Sequence, residues 1–97
     1  MAVYTREQVK KAISKLYTNE YYQEIMDILD LYGCEPYEAE RERVQLAIIK
    51  LSLGDINKLS HYCIMAKRDY RDVIYWAEYT IEAVQIPDPY RDLLEEG

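Results

Sequence analysis

The sequence predicts an all-α protein, a single compact bundle of four to five short helices. Three observations carry that prediction. Apolar residues recur three and four apart along most of the chain, which is the spacing of one helix face. The alternation of a half-buried strand is absent. The few helix breakers, Gly33, Gly54 and Gly97 with Pro36, Pro87 and Pro89, leave long uninterrupted segments between them. The 97 residues are expected to form one domain over 1–97, with 86–97 as an irregular tail. A chain of this length buries roughly 60–65 % of its unfolded surface, enough for one core.

The first helix opens at Thr5, where Gln8 three residues on completes a capping box. Val9, Ala12, Ile13, Leu16 and Tyr17 then form one apolar stripe, with Arg6, Lys10, Lys11 and Ser14 outside it. Thr18 and Asn19 break the pattern. A second helix aligns Tyr21, Tyr22, Ile25, Ile28, Leu29 and Tyr32, and Gly33 is expected to end it in a left-handed conformation. Pro36 suits the first turn of a third helix running to about Ser52. Its stripe is Tyr37, Val44, Ala47, Ile48 and Leu51, and Leu46 and Ile49 make its second half apolar nearly all round. That half is expected at the centre of the core. Its first half, EAERER, reads as a solvated face of mixed charge.

Gly54 closes the third helix and Asp55 caps the fourth, which turns Ile56, Leu59, Tyr62, Cys63 and Ala66 inward. The stretch KRDYRDVIYWAEY follows, Lys67 to Tyr79. Asp69 and Asp72 have the spacing of an N-cap and an acid at the third helical position, both favoured at the positive end of a helix. A fifth helix therefore starts at Tyr70, with Tyr70, Val73, Ala77, Ile81 and Val84 as its inward stripe. After Ile86 each proline disfavours helix just before it.

Eleven tyrosines, one tryptophan and no phenylalanine mean that hydroxyls in the core must find partners or stay at its edge. A net charge of −6 repels phosphate backbones, which argues against nucleic acid. No apolar run reaches the roughly 20 residues of a membrane span. The opening MAVYTREQVKK holds no apolar stretch of signal-peptide length. Cys34 and Cys63 lack any CxxC spacing. A cytoplasmic chain with reduced thiols is the expectation.

From Leu51 to Tyr79 the chain reads LSLGDINKLSHYCIMAKRDYRDVIYWAEY. This resembles a group of small bacterial helical proteins of unknown function that carry L-S-x-G-D-x-x-x-L, then A-K-x-D-Y-R-D-V, then W-A-E-Y. Leu51, Ser52, Gly54, Asp55, Leu59, Ala66, Lys67, Asp69 to Val73 and Trp76 to Tyr79 match that pattern. The resemblance implies a small helical protein and no particular activity.

No residues are assigned to catalysis, to a cofactor or to a metal. His61 and Cys63 point roughly 200° apart on a helix, and no phosphate-binding loop, nucleophile elbow or zinc signature occurs. A helix-turn-helix reading of the fourth and fifth helices, with Lys67, Arg68 and Arg71 at the corner, meets acid at Asp72, Glu78 and Glu82 on the outer side of the fifth. A small enzyme using surface carboxylates and a weak nucleic-acid binder stand as the alternatives. At 100° per residue Tyr75 and Tyr79 fall away from the core stripe and Trp76 sits at its border. Two coverings for these rings stay open. The tail can fold back with Pro87, Tyr90, Leu93 and Leu94, or another protein can dock. The candidate interaction surface is Tyr75, Trp76, Tyr79 and Tyr90. The function expected is a small cytoplasmic protein–protein interaction or regulatory module without catalysis. Its partner is another protein or a second copy, joined as a homodimer through the fifth helix.

Overall fold

Thr5 begins the first helix as its residue type dictates. Its hydroxyl accepts the Gln8 backbone N–H at 3.2 Å, and Gln8 Oε1 accepts the Thr5 N–H at 2.9 Å. In the computed structural model, which describes residues 3–95, six α-helices follow in order. They are α1 (Arg6–Leu16), α2 (Tyr22–Leu29), α3 (Arg41–Ser52), α4 (Ile56–Arg68), α5 (Tyr70–Glu78) and the single turn α6 (Arg91–Leu94), with a 3-10 turn at Asn19–Tyr21. Among the described residues there is no strand, only an isolated bridge between Tyr79 and Gln85. The last two residues of the expected tail lie outside the described residues, Gly97 among them.

The all-α bundle is therefore as expected, with α3 innermost. Every residue from Val44 to Ile49 is buried, and α3 packs against α4, α5 and α1 while α6 lies on α1. A radius of gyration of 12.4 Å matches the roughly 12.5 Å of one folded globule this long. The tyrosine hydroxyls in the core do have partners. Tyr17 bonds Ser52 Oγ at 2.6 Å, Tyr32 donates to the Ala39 carbonyl at 2.7 Å and Tyr90 donates to Glu78 Oε2 at 2.7 Å. Asp55 and Asp69 cap α4 and α5 as expected, accepting backbone N–H groups of Asn57 and Arg71 at 2.8 and 3.0 Å.

Three boundaries differ from expectation. The second helix stops at Leu29, before Gly33. Bonds from Leu31 N to Ile28 O and from Tyr32 N to Leu29 O tighten its end into a 3-10 turn. Gly33 still has a left-handed φ of 103°, and a Cβ there would stand 2.6 Å from Arg41 Cγ.

The third helix starts at Arg41, not Pro36. Pro36 instead occupies the second position of a turn closed by Glu38 N to Glu35 O at 3.0 Å. Glu40 then reverses the chain at φ 50°. Tyr37, expected in the core stripe, is 70 % exposed.

The fifth helix ends at Glu78. Tyr79 is extended and pairs with Gln85, and Thr80 N donates to Val84 O at 2.8 Å. The β-preferring run Tyr79-Thr80-Ile81 ahead of Pro87 makes a hairpin-like loop the better use of these residues. Ile81 and Val84, expected to point inward, are 98 % and 60 % exposed.

Candidate interaction surface

Helix α5 presents the aromatic residues that the core does not use. Val73, Ile74, Ala77 and Glu78 are its buried positions, leaving Tyr75 46 % and Trp76 44 % exposed and Tyr79 half-buried. Tyr75 and Tyr79, one turn apart, stack with ring centres 4.8 Å apart and planes 15° from parallel. Across the α4–α5 seam, Trp76 meets Tyr62 edge-on at 6.3 Å. Ile81 and Val84 stand bare in the loop that follows Tyr79.

Of the two coverings left open by the sequence, the tail goes elsewhere. Tyr90 is wholly enclosed, Leu93 is 7 % exposed, and Tyr4 meets the Tyr90 ring edge-on at 5.3 Å. Tyr90 thus belongs to the core and not to the exposed surface. What holds it there is Glu78, expected on the outer side of the fifth helix but only 4 % exposed. The Glu78 carboxylate accepts from Arg43 Nη2 at 2.6 Å, Arg43 Nε at 2.8 Å and the Tyr90 hydroxyl at 2.7 Å. Arg43 also reaches Glu40 at 3.0 Å. Burial pushes the Glu78 carboxyl up, but the Arg43 and Tyr90 hydrogen bonds and the Arg43 charge outweigh it and hold it below the usual range. Burial and the bond to Glu78 raise the Tyr90 hydroxyl.

The EAERER segment holds a second network and is not simply a solvated face. Glu38, its side chain 1 % exposed, folds back on the turn that precedes it. One oxygen accepts the backbone N–H groups of Gly33, Cys34 and Glu35 at 3.0, 3.1 and 3.1 Å, and the other accepts Lys67 Nζ at 2.8 Å. Despite burial, these donors keep its carboxyl below the ordinary glutamate value. Both hidden carboxylates thus have every oxygen engaged by fixed donors. A carboxylate so held is stabilised as the anion and poorly placed to exchange protons with a substrate.

Two of the three cations at the basic corner, Lys67 and Arg71, are held in the same way, while Arg68 is exposed. Lys67 spends its charge on Glu38 and on the Leu31 carbonyl at 2.7 Å, and Arg71 grips Asp69 with two bonds of 3.0 Å. On α1, Lys10 lies 3.6 Å from Glu7 and Lys15 donates to the Glu95 carbonyl at 2.9 Å. Cations neutralised by neighbouring carboxylates, as Lys67, Arg71 and Lys10 are, release fewer counterions from a phosphate backbone. His61 is exposed, resting against Tyr62 at 5.2 Å. Among the described residues no three His, Cys, Asp or Glu side chains gather around a point where an ion could sit. Cys34 and Cys63 are both free thiols, the first exposed and the second buried. No described helix is long and apolar enough to cross a membrane.

Sequence periodicity could place Tyr75 and Tyr79 off the stripe with Trp76 at its border, and did. It could not find Glu78, Glu38 or the fully buried Gln45, whose amide donates to the Leu29 and Tyr32 carbonyls at 2.9 and 3.3 Å. Charged and amide side chains carry no local sign of burial when their partners come from distant segments. Comparison with protein families, with curated proteins and with solved structures finds no match to the chain.

Proposed function

We propose that the chain is a cytoplasmic protein–protein interaction module that associates with itself through α5, without chemistry of its own. The observation that carries the reading is the stacked Tyr75–Tyr79 pair beside exposed Trp76, a surface the chain's own tail leaves uncovered. Tyrosine and tryptophan dominate interface energetics, because they bury large area at little rotamer cost. A twofold contact is the commonest way for a small chain to cover such a face. Against the enzyme alternative stands the saturation of Glu38 and Glu78. Against the nucleic-acid alternative stands the internal pairing of Lys67 and Arg71.

Sedimentation velocity tests the reading. Substituting Tyr75 and Tyr79 together by Ser is expected to shift the distribution toward monomer while leaving helical circular dichroism unchanged. A wild-type chain that sediments as a monomer at high concentration would end the self-association. Loss of helix in the double variant would show instead that these rings belong to the fold.

A further inference from the structure

A second surface, independent of α5, lies where the ends of α1 and α3 meet the Pro87–Pro89 strap. There Leu16, Leu53, Ile86, Pro87 and Leu93 line a cleft of about 640 Å³ with Lys50, within the size of small-molecule sites. Two of its residues are odd choices for stability alone. Leu53, the residue that ends α3, is left-handed at φ 52° and 76 % exposed. Asn or Gly fits that conformation at less cost, and an exposed leucine gains nothing from burial. Lys50 is half-buried and, among the described residues, has no carboxylate within ion-pair distance.

Lys50 has a structural task, since its Nζ donates to the Ala77 carbonyl at 2.6 Å, at the open end of α5. That occupies one of three donors. It also lies 5.8 Å from the centre of the Tyr90 ring. The nearby carboxylate of Glu78 is saturated by Arg43 and Tyr90. Burial accordingly depresses the ammonium's pKa, with Glu78 and Asp92 pulling the other way. At the rim Arg91 stands 3.5 Å from Glu95, and exposed Asp88 and Asp92 complete the charges. Water screens the rim acids, but they disfavour any ligand with more than one negative charge.

We infer that this cleft binds a small amphiphile, an alkyl chain ending in a single carboxylate, with the chain against Leu16, Leu53 and Ile86 and the carboxylate on Lys50. The apolar walls supply burial for the chain. The spare donors of Lys50 distinguish a carboxylate from a neutral head, because a charge-assisted bond is the stronger one.

The probe is decanoate, kept below its micelle concentration and titrated into the ¹⁵N-labelled full chain, with decanol as the neutral control. Saturable amide shifts are expected at Leu16, Leu53, Ile86 and Leu93, with decanol binding about tenfold weaker. In Leu53→Asn, which relieves the left-handed strain, the fold is expected to be at least as stable while decanoate binds more weakly. Lys50→Met is expected to erase the preference for decanoate over decanol. No shifts at these residues, shifts centred on Tyr75 and Trp76, or equal binding of decanoate and decanol by the wild-type chain would each overturn the assignment. The last comparison needs no variant, so it holds even where Lys50→Met fails to fold.

Discussion

Each oxygen of Glu78 has its own donor, one from Arg43 alone and one shared by Arg43 and the Tyr90 hydroxyl. Gln at this position keeps the shape but turns an N–H group toward a donor and strips Arg43 of its buried counter-charge. Breaking a buried pair by removing one partner costs about 3–5 kcal/mol. Arg43 is 30 % exposed and keeps Glu40, so Glu78→Gln is expected to cost roughly 2–4 kcal/mol in denaturant unfolding. Tyr90→Phe preserves the ring in its fully buried place and removes one donor to a carboxylate, an expected cost of about 1–2 kcal/mol. Equal stability of both variants and the wild type would mean that the tail is held by apolar packing alone.

At the scale of elements, the turn between α2 and α3 depends on Glu38 standing in for a missing helical turn. Glu38→Gln keeps an oxygen for the three backbone N–H groups, yet sets an amide donor against the Lys67 ammonium. A loss of roughly 1–3 kcal/mol is expected, the cost of an unsatisfied buried polar group. Chemical denaturation measures it, and Lys67→Met in the Gln background should recover part of the loss. Along α3 the depth of each residue sets the penalty. Ile48 is fully buried, so Ile48→Ala is expected to cost about 2–5 kcal/mol. Leu51 is only partly buried against the core, and Leu51→Ala should cost clearly less. The reverse order would mean that the end of α3, not its middle, anchors the bundle.

For the whole molecule, four carboxylates titrate below their usual range. Hydrogen bonds from Arg6 and Arg71 lower Asp30 and Asp69, while at Glu38 and Glu78 the donors overcome the effect of burial. A carboxyl whose folded pKa is depressed adds stability that is fully present above its unfolded value, near pH 4. That stability is lost as pH falls through the folded value. The bundle is thus expected to hold constant stability from neutral pH down to about pH 5 and to weaken steeply below pH 4. The acid limb should be shallower in Glu38→Gln and Glu78→Gln, which carry one depressed carboxyl fewer. Thermal melts across this range check the sign, and a limb of unchanged slope would place the acid sensitivity elsewhere.

Local chemistry was sufficient for much of this protein. The capping box at Thr5 and Gln8, the caps at Asp55 and Asp69, the buried centre of α3 and the exposed side of α5 all follow from residue types and helical spacing. These features involve groups within one or two turns of each other, so the sequence alone determines them. The start of α3 and the inward turn of Glu78 were decided by contacts from afar. Glu38 unwinds the expected start of α3 because Lys67, on α4, makes a buried carboxylate tolerable. Glu78 turns inward because Arg43 and Tyr90 arrive from both sides of it in sequence to satisfy its charge. A buried ion is stable only with its partners in place. Only the tertiary structure brings those partners together, and so only it decided which charges became interior and that Tyr90 joined them.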